Sequence, residues 1–140
     1  MVEIYLFSNA EFDDKQTSKD AIRKVKEIAT ENHLFDLEIK RGEFGKPFFS
    51  KTTEMFFNIS HTDGFTAIAF SNKEIGIDVE KVGYFNEKII EKLYSDEERK
   101  EIQASGDEKK LRKAKAVEIW TRKESEGKFK GEGIKSLIKR

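Results

Sequence analysis

Apolar and polar positions alternate most strictly at Ile75-Gly76-Ile77-Asp78-Val79-Glu80. A period of two rich in β-branched side chains predicts a half-buried strand. Val2 to Phe7 has the same strand-like character, followed by a polar connection from Asn9 to Asp14. Thr17 or Ser18 caps a predicted helix running to about Asn32, with Ala21, Ile22, Val25, Ile28 and Ala29 on one apolar face. Leu37 and Ile39 suggest a short strand, and Arg41 to Pro47 a turn. Met55 to Ser60 and Phe65 to Ser71 predict two strands joined by a hairpin turn at His61-Thr62-Asp63-Gly64. With residues 75–80 they are expected to form an antiparallel meander.

Beyond Gly83 the period becomes helical. Phe85, Ile89, Ile90 and Leu93 mark one amphipathic segment, and Ser95-Asp96-Glu97-Glu98 starts another with Ser95 as cap and Glu98 at the capping-box position. Gly106-Asp107 breaks it. A long helix is expected from about Glu108 to Lys128, with Leu111, Ala114, Val117 and Trp120 as its buried stripe, ended by Gly131-Glu132-Gly133. Ile134 to Ile138 reads as a final strand or tail.

With 140 residues, the chain is long enough to bury roughly two thirds of its unfolded surface in an ordinary core. Lys and Arg total 27, as do Asp and Glu, so bulk charge points to no nucleic-acid or membrane partner. Cysteine is absent, which excludes disulfides, thiolate metal sites and thiol nucleophiles. Met1-Val2-Glu3-Ile4-Tyr5 has neither a basic leader nor a long apolar stretch, and no apolar run approaches the ~20 residues of a membrane span. A cytoplasmic protein is expected.

Chemistry concentrates on carboxylates. In a strand, Asp78 and Glu80 emerge on one face with α-carbons about 6.5–7 Å apart. Such a pair can share a hard divalent cation, and Mg²⁺ suits it; a solvated strand face would need no ligand. On the long helix Glu124 lies one turn beyond Trp120, with Lys128 one turn further. A core tryptophan would hold Glu124 where the acidic pair could meet it, whereas helix spacing alone favours a surface Glu124–Lys128 ion pair. His61 sits where loops present functional groups.

Phe57-Asn58-Ile59-Ser60-His61-Thr62, Gly76-Ile77-Asp78-Val79-Glu80 and Trp120-Thr121-Arg122-Lys123-Glu124-Ser125 through Lys128 occur in this order. Together they resemble the signature blocks of the 4′-phosphopantetheinyl transferases, in particular the pseudodimeric type that activates peptide and polyketide synthases. Phe44-Gly45-Lys46-Pro47 resembles a further block. The resemblance implies an α+β fold: an antiparallel sheet with packed helices, in two similar halves with the site between them. Here these are one domain, 1–140, with halves near 1–72 and 73–140 and the second shortened.

The implied reaction moves 4′-phosphopantetheine from coenzyme A to a serine of an acyl or peptidyl carrier protein and releases 3′,5′-ADP. The resemblance implies Asp78, Glu80 and Glu124 as Mg²⁺ ligands, Glu98 as the base and Lys128 on the phosphates and departing group. It also implies Ser60 and His61 on coenzyme A phosphates, Lys46 and Pro47 near the adenine, and Arg23 on the 3′-phosphate. Glu126-Gly127 replaces the aromatic common after Lys-Glu-Ser, so a loose helix end is expected. Both halves of the site lie in one chain, which favours a monomer. The alternatives are a binding module for coenzyme A or a carrier, with little or no catalysis, and a metal-dependent nucleotide phosphohydrolase.

Overall fold

The Phe65–Ser71 segment is apolar or small at nearly every position, as a strand covered on both faces requires. In the computed structural model, which describes residues 1–11, 17–34 and 37–132, it is the central strand of the larger sheet. The elements in order are β1 (Val2–Ser8), α1 (Thr17–Glu31), β2 (Ile39–Arg41), β3 (Pro47–Phe49), β4 (Phe56–Thr62), β5 (Phe65–Ser71), α2 (Glu87–Leu93), α3 (Asp96–Ala104) and α4 (Lys109–Lys130). Short 3-10 turns occupy Asn9–Glu11 and Val82–Tyr84.

The three-stranded sheet has the order β1-β5-β4, antiparallel throughout, with Val2 opposite Ser71 on one side of β5 and Phe56 opposite Ser71 on the other. This corrects the expected meander: residues 75–80 are not a sheet strand, because β1 already fills the edge of β5 that they would have taken. The hairpin turn is also tighter than expected. His61 and Thr62 stay in β4, paired with Thr66 and Phe65, and only Asp63-Gly64 turns the chain. Arg41 to Pro47 does reverse the chain, joining β2 to a strand the sequence did not announce, β3.

Apolar burial falls into two clusters. In the first, Val25, Ile28 and Ala29 of α1 pack on Phe49, Phe57, Ile68 and Phe70, so the helix lies on one face of the sheet with its expected apolar side inward. Tyr5 and Phe7 face this cluster, which leaves Val2, Ile4 and Leu6 on the other face of β1, each more than half exposed. The second cluster joins Phe85, Tyr94, Ile102, Ala116, Val117 and Ile119, with Trp120 packed against it. The Tyr94 hydroxyl donates to the Ala116 carbonyl at 2.6 Å, tying the end of α2 to α4.

Along α4 the buried positions are Ala116, Val117, Ile119, Lys123 and Gly127, while Leu111 and Ala114 are exposed. The expected stripe stepped by three residues each time. Each such step falls about 60° short of a full turn, so that row spirals off the buried face. The real stripe mixes threes and fours. Nor is the helix end loose: Gly131 adopts φ 69°, and the amides of Gly131 and Glu132 donate to the carbonyls of Lys128 and Gly127 at 3.2 and 3.0 Å. That is the Schellman closure, for which glycine is suited by its lack of a Cβ. The proposed final strand or tail at 134–138 lies outside the described residues.

Candidate active site

The site is built where three sequence blocks meet. Alternation along β4 puts Asn58 and Ser60 on the face opposite α1, since Phe57 and Ile59 face the first cluster. The segment 75–80 crosses that face. In place of sheet partners, the Ile77 amide donates to Asn58 Oδ1 at 2.9 Å and the Val79 amide to Ser60 Oγ at 3.2 Å. On its other side Gly76 lies against the backbone of α4. A Cβ there would stand 2.1 Å from the Ser125 carbonyl oxygen and 2.5 Å from the Phe129 nitrogen.

Asp78 is thereby delivered to α4 almost without solvent contact, its side chain 3 % exposed. Its Oδ1 accepts from the Ser60 hydroxyl at 3.0 Å and from Lys128 Nζ at 2.8 Å, and Lys128 Nζ also donates to Ser60 Oγ at 2.8 Å. Lys128 thus reaches Asp78 instead of closing a surface pair with Glu124. Among the described residues, Asp78 Oδ2 is the one buried side-chain polar atom with no hydrogen-bond partner.

Glu80 and Glu124 belong to the same electrostatic unit. Burial, followed by the charges of Asp78 and Glu124, pushes the Glu80 carboxyl up to about 7, against a smaller opposing pull from Lys128. Burial and then Asp78 raise Glu124 in the same way, again opposed by Lys128. The three acids therefore sense one another. Even so, among the described residues no group of three or more His, Asp or Glu side chains is arranged to hold a metal ion. The cation held at Asp78 is the ammonium of Lys128. The donor set still suits a hard dication: every candidate ligand is a carboxylate oxygen, Asp78 Oδ2 is buried without a partner, and the acids resist ionising together.

Glu98 sits in the capping box that its spacing predicted. Its Oε2 accepts from the Ser95 amide at 2.9 Å, and the Glu98 amide donates to Ser95 Oγ. The same Oε2 lies 2.7 Å from Nζ of Lys123, a buried lysine that also donates to the Leu93 carbonyl and covers the Tyr94 ring. Both contacts use Oε2, so the other carboxylate oxygen takes no part in them. Burial, then Glu98 and Glu80, raise the Tyr94 hydroxyl above its ordinary range, so this tyrosine senses both acids.

A cleft of about 270 Å³ is lined by Lys46, Pro47, His61 and Lys128, the lysine bonded to Asp78, together with Ser18 and Ile22 of α1. Four of the six residues expected to contact coenzyme A are thus in one cavity wall. Lys46 Nζ is bonded to Glu74, to the Ile75 carbonyl and to the Phe129 carbonyl, so it also pins the start of the acidic segment to the end of α4. Ser60 lies behind the wall, on Asp78 and Lys128. Arg23 is not brought to the cleft: its side chain is 73 % exposed and paired with Asp20. Sequence reasoning gave Asn58 and Lys123 no role, although both stand within the quoted blocks. The period-two link from Asn58 to Ser60, and a lysine three residues after Trp120 on a buried stripe, were the available signals.

Residues 74–139 match the sequence model of the 4′-phosphopantetheinyl transferase superfamily. The chain is 34 % identical over 111 residues to 4′-phosphopantetheinyl transferase gsp of Aneurinibacillus migulanus, covering 79 % of this chain and 44 % of that protein. It is 30 % identical over 99 residues to 4′-phosphopantetheinyl transferase Sfp of Bacillus subtilis (strain 168), covering 71 % and 43 %. It is 35 % identical over 97 residues to 4′-phosphopantetheinyl transferase AcpT of Salmonella typhi, covering 67 % and 50 %. The chain spans about half the length of these curated relatives or less. The acidic segment, Glu98 and Lys128 all lie inside the residues that match the 4′-phosphopantetheinyl transferase superfamily, and the chain is a relative of those enzymes.

Proposed function

We propose that the protein transfers 4′-phosphopantetheine from coenzyme A to a serine of an acyl or peptidyl carrier protein, in a Mg²⁺-dependent reaction. The observation that carries this reading is the junction at Asp78, where Ser60, Asp78 and Lys128, one from each sequence block, lie within 3.0 Å of one another. Asp78, Glu80 and Glu124 would hold the Mg²⁺, which when bound neutralises the negative charge on the diphosphate. Lys46, Pro47, His61 and Lys128 line the wall that would take coenzyme A. Arg23 could serve the 3′-phosphate only by leaving Asp20, so we assign it the weakest part.

Glu98 takes the proton of the carrier serine as its oxygen bonds to the pantetheine phosphate. The phosphorus–oxygen bond to the nucleotide breaks, and 3′,5′-ADP leaves. Lys128 is the group whose charge can move from Asp78 to the departing phosphate. One chain supplies all these residues, which supports a monomeric catalytic unit. The two apolar clusters support the division into halves near 1–72 and 73–140. No described helix is long and apolar enough to cross a membrane, in keeping with the proposed cytoplasmic location.

The test weighs an apo carrier protein by mass spectrometry after incubation with this protein, coenzyme A and Mg²⁺. A gain of one phosphopantetheine, lost in Asp78→Ala and Glu124→Ala, is expected. Coenzyme A breakdown without a carrier would replace the proposal with phosphohydrolysis. A second reading, binding of coenzyme A or carrier without transfer, is favoured by the double engagement of Glu98 Oε2. Binding with an unmodified carrier would establish it.

A further inference from the structure

The acidic segment has no ladder of its own, and two side chains of β4 stand in for one. We infer that Asn58 is a positioning residue, which sets Asp78 and Glu80 at the height where they can share a cation. The inference rests on the cation-binding reading above.

Asn58 is buried, at 3 % exposure. Its Oδ1 takes the Ile77 amide at 2.9 Å, and two residues on Ser60 Oγ takes the Val79 amide at 3.2 Å. Successive same-face residues on a strand repeat at the spacing of alternate amides on an extended chain. Asn58 and Ser60 therefore read residues 77 and 79 as two rungs, with Asp78 between them. Space for the segment comes from β5, where Asn58 faces Ala69 and Ser60 faces Ala67, both buried. The contact of Gly76 with the α4 backbone closes the opposite side. A segment gripped on both sides can slide only along its length, and the Asn58 rung opposes that slide. Ser60 cannot do this alone, because its hydroxyl is also committed to Asp78 and Lys128.

The test uses the full chain and Mn²⁺ as the probe cation. Amide hydrogen exchange by NMR is read at Ile77 and, as a core reference, at Ile68. In Asn58→Ala, exchange at Ile77 should quicken at least about 10-fold, the effect of losing one buried hydrogen bond, with Ile68 unmoved. Mn²⁺ affinity by calorimetry should fall by about the same factor. Asn58→Asp keeps an oxygen acceptor and should keep Ile77 protected, and it serves as the folded variant if alanine is not tolerated. Unchanged exchange at Ile77 in Asn58→Ala, or quickened exchange with unchanged Mn²⁺ affinity, overturns the inference, as does loss of Ile77 protection in Asn58→Asp. Wild-type protein that binds no Mn²⁺ overturns the cation reading instead, and the Asn58 rung is then judged on Ile77 exchange.

Discussion

Asp78 shows how much one buried carboxylate can organise. It ties β4 to α4 through Ser60 and Lys128, and its charge weighs on Glu80 and Glu124. Glu80 offers a measurable consequence. Its carboxyl is raised from 4.5 to about 7, so between those values the folded chain binds a proton that the unfolded chain has released. Folding stability from this group is therefore full below about pH 4.5 and declines as pH rises towards 7. Asp78, Glu124 and Lys128 are the charged groups facing it. In chelator, the melting temperature of Glu80→Gln minus that of wild type should grow from about pH 5 to about pH 8; a difference that stays flat would refute the assignment. Gly76→Ala tests steric fit at the same place. Its methyl would meet Ser125 and Phe129 backbone atoms that cannot swing away, so a loss of about 1–3 kcal/mol is expected in urea unfolding.

At the scale of elements, helix starts and stops were legible because their chemistry is local. Ser95 and Glu98 form the capping box their three-residue spacing promised, and α1 buries the face its periodicity drew. The segment 75–80 was not legible as an unpaired strand. Its alternation is genuine, but whether an extended segment pairs depends on what else competes for the sheet edge, and β1 wins it. Glu98 also belongs to this scale, since one residue serves a helix end and a proposed reaction. Glu98→Gln keeps an oxygen for the Ser95 amide but cannot act as a base. It should bind coenzyme A normally and transfer about 10²–10⁴-fold more slowly, as followed by carrier mass spectrometry. Normal turnover would reduce Glu98 to its cap and its Lys123 pair.

For the whole molecule, the site is the seam between two apolar clusters. Side-chain bonds crossing it include those of Ser60 to Lys128, Asp78 and the Val79 amide, of Asn58 to the Ile77 amide, and of Lys46 to Glu74, Ile75 and Phe129. Ligands that fill this seam should stabilise the entire fold. With each of Mg²⁺ and coenzyme A at about 100 times its own dissociation constant, linkage predicts about 2.7 kcal/mol per ligand, visible as a raised melting temperature. Asp78→Ala should lose the Mg²⁺-dependent part of that rise while keeping any shift from coenzyme A alone; a full Mg²⁺ response in the variant would remove Asp78 from the ligand set.

Sequence by itself determined the helices, the extended stretches other than β3, the cap at Ser95, the order of the three blocks and the acids worth watching. All of these depend on neighbours within about one helical turn, or on residue type alone. Tertiary structure decided that Val2, Ile4 and Leu6 face outward, that Asn58 and Ser60 hold the acidic segment, and that Lys128 reaches Asp78 rather than Glu124. Those outcomes were settled by competition between distant parts of the chain for one sheet edge and one buried charge, which no local pattern records.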